Sequence, residues 1–311
     1  MGIMKQEVKM ALFRIAVILF IPFLLIGALL FWNNYAPKEA ERYDRTLPRN
    51  PDTGILSGAE ARTCGPDDTR KAILFVHGFI ATPDCFSDLP EYVAERGWHV
   101  RAMLLPGHGT SPFDFQKTSP AALEEAVLKE LDALQQRYDT VVILGHSMGA
   151  ALATIAAAQK QPDGLILTAP YYAVTKQWYY ILRPETWAGL VSPILHWVYR
   201  PQNMQPVNRA EARGEILSYN WIPSKGALTA MAVAGKARDD TILQKIAMPT
   251  LLIHSKNDTV ADPAYAEAVY NRIPSKDKTL HWLLLSDHIL FYDYDRETVK
   301  IQIAAFLKKW D

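Results

Sequence analysis

Thiols are scarce in this chain: 311 residues contain two cysteines, Cys64 and Cys85. That excludes a disulfide framework and a zinc site built from thiolates alone. At most one bridge could form between them, and only in an oxidising compartment. An excess of charge is also missing, since 33 Lys and Arg balance 33 Asp and Glu. Without a basic footprint, nucleic acid is not an expected partner. There is no internal repeat and no low-complexity tract, which excludes a solenoid or an extended disordered chain. What remains is ordinary globular composition, 49% hydrophobic and 21% charged, at a length that suits one large α/β domain or one domain with an insertion.

The N-terminus departs from that average. The run IAVILFIPFLLIGALLFW, from Ile15 to Trp32, is uncharged and would span roughly 27 Å as a helix, about the thickness of a bilayer core. Residues 1–35 therefore read as a membrane anchor. A cleaved signal peptide would have a shorter apolar core and small residues before the cut, and the nearby Ala36 is followed by Pro37. Lys5, Lys9 and Arg14 precede the run, whereas Lys38, Arg42 and Arg45 follow it among Glu39, Glu41 and Asp44. Flanking charge thus leaves orientation open, and the expectation is a single-pass anchor with the large domain outside the cytoplasm.

Residues 36–70 are polar, with prolines, glycines and no sustained period, and read as a linker or stem. Beyond them short apolar runs recur: KAILFV (71–76), WHVRAML (98–104), TVVILG (140–145), GLILT (164–168), TLLIHS (250–255) and LHWLLL (280–285). Helical patterns such as SPAALEEAVLKELDALQQR and AEAVYNRI separate most of them. Continuous apolar strands alternating with helices predict a mainly parallel sheet covered on both faces, with a site at the strands' carboxyl ends. The core is expected over 71–170 and 241–311. The interval 171–240 is too long for a crossover and rich in aromatics punctuated by proline, which predicts an inserted helical cap. A thin helical layer cannot bury so many rings on itself, so some of them, Trp178 and Trp187 among the candidates, are expected to line an apolar pocket.

Gly145-His146-Ser147-Met148-Gly149 follows the strand VVIL directly and opens the helix MGAALATIAAAQK. A serine on so tight a strand-to-helix turn is lifted above the sheet while the new helix aims its first amides at it, the arrangement of a nucleophile elbow. A hydroxyl needs a base, and the base needs an orienting carboxylate. In this topology the chain order is serine, acid, histidine. Asp258 follows the strand TLLIHS and His288 follows LHWLLL, each at a strand's carboxyl end. Asp262 beside Pro263 suits a helix cap instead, and Asp287 is too near His288 in sequence to orient it easily. His99, His254 and His281 lie within strand patterns and His196 in the cap, so each is read as structural. An oxyanion would be met by the backbone amides of Met148 and of Phe79, the latter in the loop VHGFIATPDCF, where Gly78 lets the chain turn towards the site.

With these residues in hand the chain resembles the α/β-hydrolase superfamily, and within it the bacterial carboxylesterase and monoacylglycerol lipase branch. The blocks HGFIATPDCF, LLPGHGTSP, GHSMGA and HSKNDTVADP with SDHILFYDYDRETVKIQIAAFL carry the resemblance from about Lys71 to Leu307. It implies Ser147 as nucleophile, His288 as base then acid, Asp258 as its partner, and an oxyanion hole of Phe79 and Met148. His108 of the PGHG loop is implied to be a hydrogen-bonding brace. The expected activity is hydrolysis of small apolar acyl esters without metal or organic cofactor. The same three residues also serve thioesterases, amidases and acyltransferases, and a membrane-tethered binding protein on the same fold is the reading from a different class. The membrane run and the tryptophan-rich cap depart from the usual soluble enzyme, so acyl length and leaving group are not carried over.

Overall fold

The computed structural model describes residues 2–176 and 181–311. The strands are β1 (Arg62–Cys64), β2 (Lys71–Val76), β3 (His99–Met103), β4 (Thr140–His146), β5 (Gly164–Thr168), β6 (Trp197–Tyr199), β7 (Trp221–Pro223), β8 (Thr250–Ser255) and β9 (Lys278–Leu283). The α-helices are α1 (Gly2–Asp44), α2 (Leu89–Ala94), α3 (Pro112–Lys117), α4 (Pro120–Gln135), α5 (Met148–Lys160), α6 (Pro184–Val191), α7 (Ser224–Ala237), α8 (Asp240–Leu243), α9 (Pro263–Arg272) and α10 (Arg296–Leu307).

Seven strands form one sheet in the order β1-β3-β2-β4-β5-β8-β9, parallel except for the antiparallel edge strand β1. The pleat sends alternate side chains to opposite faces. Ala72, Leu74 and Val76 of β2 join one core layer with α4, α5 and α7, while Ile73 and Phe75 join the other with α2 and α10. Every residue of α5 from Met148 to Ala158 is buried, because its run of alanines lets the sheet on one side and α4 and α7 on the other approach its backbone closely. Helix starts follow the sequence signals: Ser119 caps α4 and Asp262 caps α9, each with a proline at the first position.

Three expectations need correction. The last apolar run is offset: β9 pairs with β8 from Thr250 opposite Lys278 to Ser255 opposite Leu283, so it ends where its partner ends, and Leu284 and Leu285 are left exposed. Residues 36–70 are not a free linker. Helix α1 continues unbroken to Asp44, and its last turns pack on the antiparallel β6–β7 ribbon. There Ala36 and Ala40 are buried against Trp197 and Trp221, Trp32 Nε1 donates to Trp197 O at 2.8 Å, and Asn220 Nδ2 donates to Tyr43 Oη at 3.1 Å. Farther on, Leu56 and Ala59 join Phe115 and Tyr219 in a small cluster, and Arg62–Cys64 forms β1.

The third correction follows from the second. Among the described residues several rings of 171–240 find partners in α1 and in the core: Trp221 lies 5.9 Å from Trp32 and 4.8 Å from Tyr199, and Trp197 lies 4.8 Å from Phe113. Tyr172 Oη meets Thr154, and Tyr219 Oη accepts from Thr110 N. Of the described rings in 171–240, Tyr171 is left to line the pocket beside Ser147. The stretch from Phe20 to Phe31 by contrast stays bare, with Phe23, Leu25, Leu30 and Phe31 strongly exposed, and this helix is long and apolar enough to cross a membrane. Both thiols are free, Cys64 on β1 and Cys85 buried in the second core layer.

Candidate active site

Strand β4 ends at His146 and α5 begins at Met148, so Ser147 alone makes the turn, with φ 56° and ψ −122°. That backbone is costly for a residue with a Cβ and persists only where the surroundings enforce it. Here the end of β5 does so, because Ser147 N donates to Thr168 O and Tyr171 N donates back to Ser147 O. The flanking glycines are required by contact. A Cβ on Gly145 would lie 2.3 Å from Gly149 O, and one on Gly149 would lie 2.0 Å from Val76 O.

His288, in the loop after β9, places Nε2 2.8 Å from Ser147 Oγ and Nδ1 2.8 Å from Asp258 Oδ2. All three side chains are buried, Ser147 at 7% exposure, Asp258 at 3% and His288 at 6%. Asp258 Oδ1 accepts from the amides of Val260 and Ala261 at 2.8 Å each. His254, on β8 directly beneath, brings Nε2 within 3.2 Å of Oδ2. Burial alone would raise the Asp258 carboxyl, but the charge of His288 and the hydrogen bonds of His254 and His288 outweigh it and hold the group well below the usual carboxylate range. An ionised Asp258 fixes the Nδ1–H tautomer of His288, leaving Nε2 free to accept the serine proton.

The rivals find other work. Asp262 accepts from Ala264 N as a helix cap. Asp287 accepts from the amide and hydroxyl of Thr259, tying the histidine loop to the acid loop. His146 is buried with its ring 5.3 Å from that of His288 and its Nδ1 near Thr168 O, and burial followed by the charge of His288 pulls it down to about 3, a neutral neighbour.

Gly78 brings the first loop against the serine, for a Cβ there would lie 2.9 Å from Ser147 Cβ. His77 Nε2 accepts from Leu105 N at 3.0 Å, so its Nδ1 is the donor to Gly78 O, also at 3.0 Å. A trans peptide points its N–H opposite to its C=O, so this bond turns the Phe79 amide away from His77. Among the described residues neither the Phe79 amide nor the Met148 amide, first in α5, donates to a backbone acceptor.

A cavity of about 250 Å³ opens on Ser147 and His288. Phe79, Ile80, Val174, Ile216, Met231 and Ile289 give it an apolar wall. Of the two tryptophans expected here, Trp187 is 43% exposed on α6 and does not line the cavity, and Trp178 lies outside the described residues. Among the described residues no group of three or more His, Cys, Asp or Glu is gathered to hold a metal ion.

Sequence reasoning took His254 for a strand residue and did not assign His77. In each case the signal was position. His254 is four residues before Asp258, at the end of the strand that carries the acid, and His77 directly follows the last residue of β2.

The Hydrolase_4 family, described as serine aminopeptidase, S33, matches residues 67–295. The thermostable monoacylglycerol lipase of Bacillus sp. (strain H-257) is 27% identical over 259 residues, covering 82% of this chain and 96% of the relative. The carboxylesterase of Bacillus subtilis (strain 168) is 21% identical over 243 residues, covering 78% and 94%. Among solved structures, a metagenome-derived lipolytic enzyme described with LipS and LipT superposes with a TM-score of 0.71 at 25% identity, over 82% of this chain and 99% of that one. With its parallel sheet and serine elbow, the chain belongs to the Hydrolase_4 family, serine hydrolases of the α/β-hydrolase fold whose relatives here are esterases and monoacylglycerol lipases.

Proposed function

We propose that the protein hydrolyses carboxylic esters through Ser147, His288 and Asp258. The observation that carries this reading is the unbroken run of two 2.8 Å contacts from carboxylate to imidazole to hydroxyl at the foot of an apolar cavity. Ser147 Oγ attacks the ester carbonyl as His288 Nε2 takes its proton, and the tetrahedral oxyanion is met by the amides of Phe79 and Met148. His288 then protonates the departing alcohol, leaving Ser147 acylated. A water deprotonated by the same imidazole releases the acid and restores the serine. The aliphatic wall favours acyl chains, each buried methylene adding about 0.8 kcal/mol of affinity. The named activities of the relatives point to monoacylglycerol or simple carboxylic esters as substrates. The bare helix before the domain is assigned as a single-pass membrane anchor, with the hydrolase outside the cytoplasm.

A fluorophosphonate probe and a chromogenic acyl ester test the chemistry together. Ser147 is expected to be the labelled residue. Ser147→Ala should lose turnover by a factor on the order of 10⁶ and Asp258→Asn by roughly 10⁴, with folding intact by circular dichroism. Unchanged turnover in Ser147→Ala, or a label on another residue, overturns the assignment.

A further inference from the structure

Besides Ser147, His288, His146 and Tyr171, the polar side chains that line the cavity are Arg200, Gln205 and Ser218, all from the interval 171–240. Arg200 follows β6, Ser218 precedes β7, and the two are drawn together because Arg200 N donates to Asn220 O across the ribbon. The guanidinium sits in a prepared seat. Its Nη2 donates to Gln205 Oε1 at 3.0 Å and to Ser218 Oγ at 3.3 Å, and Gln205, itself 3% exposed, donates from Nε2 to Ser218 Oγ.

What the seat lacks is a negative charge. Arginines withdrawn from solvent are ordinarily paired with a carboxylate, because a charge that is uncompensated as it leaves water is expensive. Among the described residues Arg200 has no such partner: burial is what acts on it and pulls its pKa down to about 10, with no acid pulling the other way. Its Nε is shut off from solvent without an acceptor, and both side-chain hydrogen bonds leave from Nη2, so Nη1 is unengaged. A group with a pKa near 10 is still fully charged at neutral pH. Arg200 is part-buried, and a cavity that is lined by such a cation, fixes its orientation with two neutral acceptors and supplies no anion is complementary to an anion carried in by the ligand.

We propose that the substrate is an acyl ester bearing an anionic oxygen group, a carboxylate or a phosphate, which Arg200 grips with Gln205 and Ser218 behind it while Ser147 attacks the ester in the same cavity. This rests on the serine hydrolase reading above and deepens it. A neutral ester of equal length leaves the guanidinium partly desolvated and unpaired, and a site built around a polar group discriminates strongly against a ligand that lacks it.

The test uses two matched pairs on the full chain. One pair carries the charge on the acyl side, the mono-4-nitrophenyl ester of suberic acid against 4-nitrophenyl octanoate. The other carries it on the alcohol side, 1-hexanoylglycerol 3-phosphate against 1-hexanoylglycerol. In at least one pair the anionic member should have a kcat/KM tenfold or more above its neutral partner at pH 7, and the pair that responds identifies carboxylate or phosphate as the group. That ratio should fall at least tenfold in Arg200→Gln and recover in part in Arg200→Lys. Equal or better use of the neutral member in both pairs, or a ratio unmoved in Arg200→Gln, overturns the proposal. Should neither variant fold, the wild-type enzyme decides alone: octanoate or octylphosphonate should inhibit hydrolysis of the neutral ester at least tenfold more tightly than octanol, and equal inhibition refutes the assignment. Failure of fluorophosphonate to label Ser147 would sink the hydrolase reading itself, whereas a labelled, active enzyme indifferent to charge sinks this inference only.

Discussion

Gly78 separates contact from chemistry more cleanly than any other residue in the site. The elbow glycines Gly145 and Gly149 face backbone atoms of other segments at 2.0–2.3 Å, so a methyl there must push main chain apart. A Cβ on Gly78 meets Ser147 Cβ first, at 2.9 Å, and then His146 O and Ser147 Oγ at the milder 3.3 and 3.4 Å. The strain therefore falls first on the reacting residue and on the amide assigned to the oxyanion. Gly78→Ala should keep nearly the wild-type melting temperature while kcat falls by roughly 10²–10³, the usual cost of a misplaced oxyanion donor. Gly149→Ala should lower stability by at least about 1–3 kcal/mol. Thermal melts with steady-state kinetics on both variants check this, and equal loss of stability in the two would remove the distinction. At this scale the meeting of Ser147, Asp258 and His288 was legible because the elbow pattern and the chain order are local or one-dimensional signals. His254 and His77 were not, because what they do depends on what lies across from them: a carboxylate four residues on in one case, a peptide plane and the Leu105 amide in the other.

Among the elements, the loop after β3 carries a load that its short sequence conceals. His108 donates from Nδ1 to Pro106 O at 3.0 Å, and its ring lies 4.4 Å from Phe115 and 5.1 Å from His77. It is 1% exposed, and burial pulls its pKa from 6.5 down to about 4. Because the folded value is the lower one, the unfolded chain takes up the proton first. The stability this gives is complete above about pH 6.5 and is lost as pH falls towards about 4, to the extent of roughly 3 kcal/mol. His77 is also depressed, by burial and by His108, and adds to the same trend. Urea midpoints at pH 7, 5.5 and 4.5 should fall steeply in the wild-type protein and less steeply in His108→Asn, which retains a donor for Pro106. Parallel slopes would mean that the imidazole does not titrate in this window. Strand positions were readable here from apolar runs alone, except that the end of β9 is set by pairing with β8, which hydrophobicity does not report.

For the whole molecule, the junction between α1 and the β6–β7 ribbon links the apolar N-terminus to the interval 171–240, which contributes part of the cavity lining. Trp32, Ala36, Ala40 and Tyr43 touch the ribbon, and Arg200 with its seat hangs from the same ribbon. Removing residues 1–30 cuts the helix within the stretch that is bare from Phe20 to Phe31 and should leave the melting temperature nearly unchanged. Removing residues 1–46 strips cover from Trp197 and Trp221, which are 3% and 8% exposed in the intact chain. The loss should be about 2–4 kcal/mol, a fall of roughly 5–10 °C, and calorimetry on the two truncations compares them. Equal melting temperatures would show that the helix merely adjoins the cap.

Amphipathic period, glycine and proline punctuation and the order of chemistry-bearing residues are written along the chain, and they were enough to determine a parallel α/β sheet, an elbow at Ser147 and the partners Asp258 and His288. Where the aromatic rings go, where β9 stops and which polar groups share the cavity depend on contacts between segments far apart in sequence. Trp32 meets Trp197 across 165 positions, and Arg200 becomes unusual only once its surroundings are seen to hold no acid among the described residues. Packing and desolvation are properties of the assembled volume, so only the tertiary structure decided them.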